Sequence, residues 1–164
     1  MISVLCVSGD SAQLVIARQV LEREGDIRAG TATSGSEALS FLASFPYDAV
    51  VADMILGDMD GIALLSAVRE RKIIPFILIA DSTTTDREVD AIAAGADFFF
   101  IKNSDTRDQF LRIARWIRVA VGWRQKEAEL KENEARYHEL IENANLIILK
   151  LDKNSKITFF NEYA

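Results

Sequence analysis

The sequence predicts an α/β fold: a five-stranded parallel sheet with helices between the strands and an extended helix at the C-terminal end. Two observations carry this. Short β-rich apolar runs alternate with segments whose apolar residues recur at helical spacing, and that alternation implies parallel βα units joined by right-handed crossovers. Some of the runs, such as Ala49–Ala52 and Phe76–Ala80, are apolar throughout, as strands buried on both faces are.

The elements follow in order. Ile2 to Val7 reads as a buried strand, ended by Ser8-Gly9-Asp10. Asp10 or Ser11 caps the next segment, where Leu14, Ile16, Val20 and Leu21 recur at helical spacing until Gly25-Asp26 stops it. Ile27 to Ala32 is a weaker, edge-type strand with Gly30 inside it. Ser34 or Ser36 opens a short helix through Leu42, ended by Phe45-Pro46. Ala49 to Ala52 then runs into Asp53. Ile62 to Lys72 carries Leu64, Leu65 and Val68 on one face. Phe76 to Ala80 follows Pro75, which falls where no ladder donor is required. Thr83 to Ala94 reads as a helix with Val89, Ile92 and Ala93 inward, closed by Gly95. Ala96 to Lys102 is the fifth strand.

Composition narrows the classes. Apolar residues make up 49% and charged residues 27% of the 164, enough to build a core. The net charge of −6 does not indicate a nucleic-acid surface, which needs clustered Lys and Arg. Cys6 is the only cysteine, so no internal disulfide forms. No apolar run approaches the ~20 residues of a membrane helix, and the start lacks the basic character of a secretory signal. The expectation is a cytoplasmic protein.

Chemistry centres on Tyr47-Asp-Ala-Val-Val-Ala-Asp53 and the loop Met54-Ile-Leu-Gly-Asp-Met-Asp-Gly61. An apolar strand that ends on a carboxylate aims it into the crevice beyond the sheet, where α/β proteins gather ligands. This stretch, with Gly95-Ala96-Asp97 and the strand-end Lys102, resembles the receiver domains of two-component response regulators over residues 2 to about 121. Gly57 and Asp58 stand where that pattern has proline and glycine. The resemblance implies a flavodoxin-like sheet of order 2-1-3-4-5. It implies Asp53 as phosphoacceptor, Lys102 as the phosphate-contacting cation, and a sensor histidine kinase or phosphotransfer protein as partner. Phe99 matches the aromatic switch position and reads equally as core.

Two departures stand out. Receivers place two acids after the first strand to hold Mg²⁺, and here Ser8 and Gly9 occupy those positions. Asp10, one position further, and Asp53 are the only carboxylates left for a metal, so Mg²⁺ is expected to bind weakly or not at all. The hydroxyl residue expected after the fourth strand is Ala80, a second switch position, followed by Asp81-Ser82-Thr83. Phosphoryl transfer to a carboxylate depends on positioning and on cations that neutralise charge. Either Asp53 accepts a phosphoryl group, or the domain is a pseudo-receiver that works by protein contact. No enzyme activity is expected. A phosphate-, nucleotide- or flavin-binding domain lacks support, because no Gly-rich loop follows the first strand.

Residues 105 to about 143 contain no proline and one glycine, and are dense in Glu, Lys and Arg, a strong helical pattern. Phe110, Leu111, Ile113, Ala114 and Ile117 are expected to pack on the sheet. Trp116, Trp123, Leu130, Tyr137 and Ala144 recur every seven residues, a seam suited to homodimerisation. A structural dimerisation module without phosphoryl chemistry is therefore the alternative reading. His138 reads as a solvated helix residue. From Tyr137 on, two β-rich runs flank Asp152-Lys-Asn-Ser155, a hairpin pattern that resembles the opening of a PAS sensor domain. The expected organisation is a receiver over 1–121, a helical linker or coiled coil over 122–143, and a truncated PAS start over 144–164.

Overall fold

The computed structural model describes residues 1–142, 149–154 and 156–160. The chain divides into two units, Met1–Arg124 and Gln125–Ala164. The first alternates β1 (Ile2–Val7), α1 (Ser11–Arg23), β2 (Ile27–Ala32), α2 (Gly35–Ser44), β3 (Ala49–Asp53), α3 (Gly61–Arg69), β4 (Phe76–Ala80), α4 (Glu88–Ala93) and β5 (Phe98–Ile101). It ends in the first half of α5 (Thr106–Glu142). The five strands pair in parallel in the order β2-β1-β3-β4-β5, as expected, with β2 at an edge.

Strand pleating sends alternate side chains to opposite faces, and that divides the core in two. Val4, Cys6, Val51, Ile77 and Ile79 point to one side, where Leu14, Ala17 and Leu21 of α1 meet Phe110, Ile113 and Ile117 of α5. Leu5, Val7, Val50, Ala52, Phe76 and Leu78 point to the other, against Leu42 of α2, Leu64, Leu65 and Val68 of α3, and Ala91 of α4. All five residues of β3 and of β4 are buried, which explains their unbroken apolar runs. Each fully buried Leu or Ile contributes about 1.5–3 kcal/mol, so these layers hold the strand ends in place.

The caps resolve the alternatives left open by the sequence. Asp10 caps α1, accepting from the Ala12 and Gln13 amides, and Ser34 caps α2, accepting from Glu37. Asp97 is a structural residue. Its carboxylate accepts from the Phe76 amide at 2.8 Å and from Arg69 and Arg124 at 2.7 and 3.2 Å. That ties the start of β5 to α3 and α5.

The segment from Thr83 differs from expectation. It begins as a 3₁₀ turn, Thr85–Arg87, and only then becomes α4. Val89 is 76% exposed, and Ile92 and Ala93 also face water, whereas Ala91 is the buried residue. A 3₁₀ turn advances three residues per turn instead of 3.6. A helical phase counted from Thr83 therefore points the wrong side chains inward.

In the second unit, β6 (Leu149–Leu151) and β7 (Ile157–Phe160) form the expected antiparallel hairpin. Asp152 organises its turn, accepting from the Asn154 and Lys156 amides at 2.8 and 2.9 Å. Residues 143–148, 155 and 161–164, on which part of the PAS pattern falls, lie outside the described residues.

The loop after β3 is clipped shut. Gly61 N–H donates to Met54 O at 2.8 Å, and Ile55 bridges to Asp60. Gly57, at φ +83°, makes the turn that only glycine adopts easily. Asp58 then reaches across to the N-terminus of α2, accepting from the Gly35 and Ser36 amides, each at 2.9 Å. Asp60 caps α3 and pairs with Arg87.

Both anchors of this loop can be tested by substitution. A Cβ at Gly61 would lie 2.5 Å from Asp53 O and 3.0 Å from Met54 Cα, both backbone atoms with little freedom to move. Gly61→Ala is expected to lower stability by about 1–3 kcal/mol, the overpacking cost outweighing a gain in helix propensity of about 1 kcal/mol. A urea midpoint equal to or above the parent's refutes it. The amides of Ser36 and Gly35 hold the Asp58 carboxyl down at about 2. Because the folded value is depressed, its contribution is present above the unfolded carboxylate range near 4 and is lost as pH falls through about 2. Asp58→Asn is therefore expected to be less stable than the parent at neutral pH, with the gap closing below about pH 4. A gap that does not change with pH refutes that account.

Candidate functional site

The site is assembled at the carboxyl ends of three strands. In the parallel register Val7 of β1 lies beside Ala52, so the next residues, Ser8 and Asp53, come together. Asp53 itself lies beside Ile79 of β4. On the far side of β4, the Lys102 amide donates to Ala80 O at 2.7 Å, which brings the lysine to the same end of the sheet.

Asp53 is 5% exposed, and three donors satisfy its carboxylate. Ser8 Oγ–H donates to Oδ2 at 2.7 Å, Lys102 Nζ donates to the same oxygen at 2.9 Å, and Gln13 Nε2 donates to Oδ1 at 3.0 Å. Removing a carboxylate from water is costly unless it is paired and hydrogen-bonded, and here both conditions hold. Ser8 is itself fixed, since its Oγ accepts from the Asp10 amide at 3.0 Å. Gln13 is aimed by the cap on α1: Asp10 Oδ1 holds the Ala12 and Gln13 amides and so sets the first turn that carries the glutamine.

The predicted site residues divide into two groups. The structure brings Asp53 and Lys102 together as an ion pair. Asp10 is exposed and acts as the α1 cap. Ala80 is fully buried, and Phe99 is half-buried on the same face of the sheet, among the α2–α4 core residues. The hydroxyls of Thr83 and Thr84 donate to Asp81 Oδ1 at 2.6 and 3.2 Å, and these bonds hold the Asp81 carboxyl below its usual range. Beneath the site, burial and then the Asp53 charge push the Cys6 thiol up to about 12, so it stays protonated. Sequence reasoning missed Gln13. A glutamine on a polar helix face carries no signal, and only Ser8 and Gly9 beside it hinted that Asp53 needed other partners.

The donor set does not fit Mg²⁺. The ion requires oxygen ligands in near-octahedral array, usually with one or two carboxylates. Here the single buried carboxylate has both oxygens accepting from N–H and O–H groups, and one of these carries a positive charge. Gly9 offers no side chain, and Asp10 Oδ1 is bound to the Ala12 and Gln13 amides.

Comparison with known proteins agrees with this geometry. The Response regulator receiver domain model matches residues 4–114. The transcriptional regulatory protein QseB of Haemophilus influenzae is 28% identical over 130 residues, 79% of this chain and 52% of that protein. The chain thus spans about half the length of that curated relative. A CheY-like response regulator receiver domain protein from Methanospirillum hungatei superposes with a TM-score of 0.66 at 26% identity, covering 77% of this chain and 98% of that one. The response regulator TrrA of Thermotoga maritima, whose crystal structure is a complex with Mg²⁺-BeF, superposes at 0.61 with 22% identity, covering 70% and 98%. At that identity it supports the fold alone. A doubly wound sheet, a strand-end carboxylate paired with a strand-end lysine and a match across two thirds of the sequence lead to one conclusion: this chain belongs to the response regulator receiver domain family.

Proposed function

We propose that this receiver domain works as a signalling module through protein contact, without metal-assisted phosphoryl transfer and without enzymatic activity of its own. One observation supports the reading above the rest: both oxygens of Asp53 already accept hydrogen bonds, from Ser8, Gln13 and Lys102. A phosphoryl group arriving at either oxygen would compete with those donors. The cation that neutralises its charge would find no second carboxylate, and Ala80 presents no hydroxyl to it.

The Asp53–Lys102 ion pair favours a second reading, in which Asp53 accepts a phosphoryl group slowly from a sensor histidine kinase or phosphotransfer protein. The missing hydroxyl contact alone costs roughly 1–3 kcal/mol, a slowing of about tenfold to a hundredfold. Incubation with a small phosphodonor and Mg²⁺, followed by intact-mass measurement, separates the two. The parent is expected to gain no phosphoryl mass over a period in which the repaired variant (Ser8→Asp, Gly9→Asp, Ala80→Thr) does. Modification of the parent at Asp53, lost in Asp53→Asn, overturns the contact-only reading.

The reading extends along α5 and into the PAS-like start beyond it, with a cytoplasmic setting. Among the described residues no helix is long and apolar enough to cross a membrane. Trp123 is 66% exposed, and Leu130 and Tyr137 are exposed at the same seven-residue spacing on an otherwise charged helix. Large apolar groups at heptad spacing fit a second copy of the chain better than they fit water. Sedimentation should show a parent dimer that Trp123→Glu shifts toward monomer. A parent that stays monomeric at high concentration removes the dimer from this picture.

A further inference from the structure

The division of donors between the two Asp53 oxygens explains why a glutamine faces it. Ser8 and Lys102 both reach Oδ2, which leaves Oδ1 to be satisfied from the α1 side. Gln13 Nε2 fills that place at 3.0 Å, from a half-buried position in the first turn of the helix. With Ser8 and Lys102 both on Oδ2, Oδ1 is the oxygen a divalent cation would take, and the amide holds it. A neutral amide satisfies Oδ1 without adding charge to the Asp53–Lys102 ion pair.

We propose that Gln13 is a positioning residue that stands in for a divalent cation, completing the Asp53 coordination shell with an uncharged donor and closing the pocket to metal. This rests on the contact-only reading of Asp53 and deepens it by naming the group that makes the pocket self-sufficient. A glutamine that merely fills space predicts something different: its replacement would alter stability without creating any response to metal.

The test uses the full 164-residue chain and reads the melting temperature with and without millimolar Mg²⁺, with calorimetric titration of Mg²⁺ alongside. The parent is expected to ignore the ion. Gln13→Glu sets a second carboxylate against Asp53, so it should melt below the parent in metal-free buffer. It should then recover by about 3–6 °C at roughly ten times the dissociation constant of the site it creates. Gln19→Glu makes the same charge change at an exposed position of α1 and should show no response to metal. Gln13→Met keeps the bulk and removes the donor; it should melt lower than the parent and gain a rise with Mg²⁺, even if the glutamate variant fails to fold. Glutamate and methionine variants that both melt without response to Mg²⁺ overturn the proposal, as does a parent stabilised by the ion. Intact mass after treatment with a phosphodonor, taken on the same samples, keeps the two claims apart. A parent that is phosphorylated yet indifferent to Mg²⁺ refutes the contact-only reading and leaves Gln13 in its role. A parent stabilised by Mg²⁺ but never phosphorylated does the reverse.

Discussion

A carboxylate withdrawn from water must find its donors within the protein, and at Asp53 this requirement links four elements at once. Ser8 arrives from β1, Gln13 from α1, Lys102 from the segment after β5, and the aspartate closes β3. None of the donors can be supplied locally, since Ser8 and Lys102 are 45 and 49 residues away along the chain. The site therefore exists only when the sheet is complete and both of its faces are covered. Fold and site are a single constraint here: the apolar layers bring the strand ends into register, and the polar cluster penalises any register that leaves the charge unpaired.

Much of this is legible in the residues. The unbroken run of β3, the helical spacing of Leu64, Leu65 and Val68, and the cap residues Asp10 and Ser34 all report burial or hydrogen bonding that operates within a few positions. Lys102 and Asp53 can be paired because the order of elements places their strand ends at one side of the sheet. What stays hidden depends on phase or on distance. The inward face of α4 escapes a simple periodic count because a 3₁₀ turn precedes it. Gln13 and Asp58 act on residues 40 and 22–23 positions away, and neither belongs to a local pattern that marks its role.

The departures at the start of the pocket and in the loop after β3 read differently once they are placed side by side. Ser8 and Gly9 remove two negative charges from the sheet end, and Gln13 adds none back. Asp58 adds a negative charge where the receiver pattern has glycine, but turns it away from the pocket toward the amides of α2. Both changes leave Lys102 facing a single buried carboxylate.

The clip between Met54 and Gly61 bears on how chain length can vary in this part of the protein. Its ends are pinned, by the Gly61 to Met54 hydrogen bond and by the contact of Gly61 with the Asp53 carbonyl, while its tip is exposed at Gly57. A residue inserted next to Asp60 would have to break the bridge to Ile55 and shift the first turn of α3, which the Leu64 and Leu65 packing forbids. One inserted at the tip would leave the clip closed and carry Asp58 away from α2. A length change at the tip would therefore leave the Asp53 cluster intact and loosen the hold of the loop on α2, whereas one beside Asp60 would disturb both.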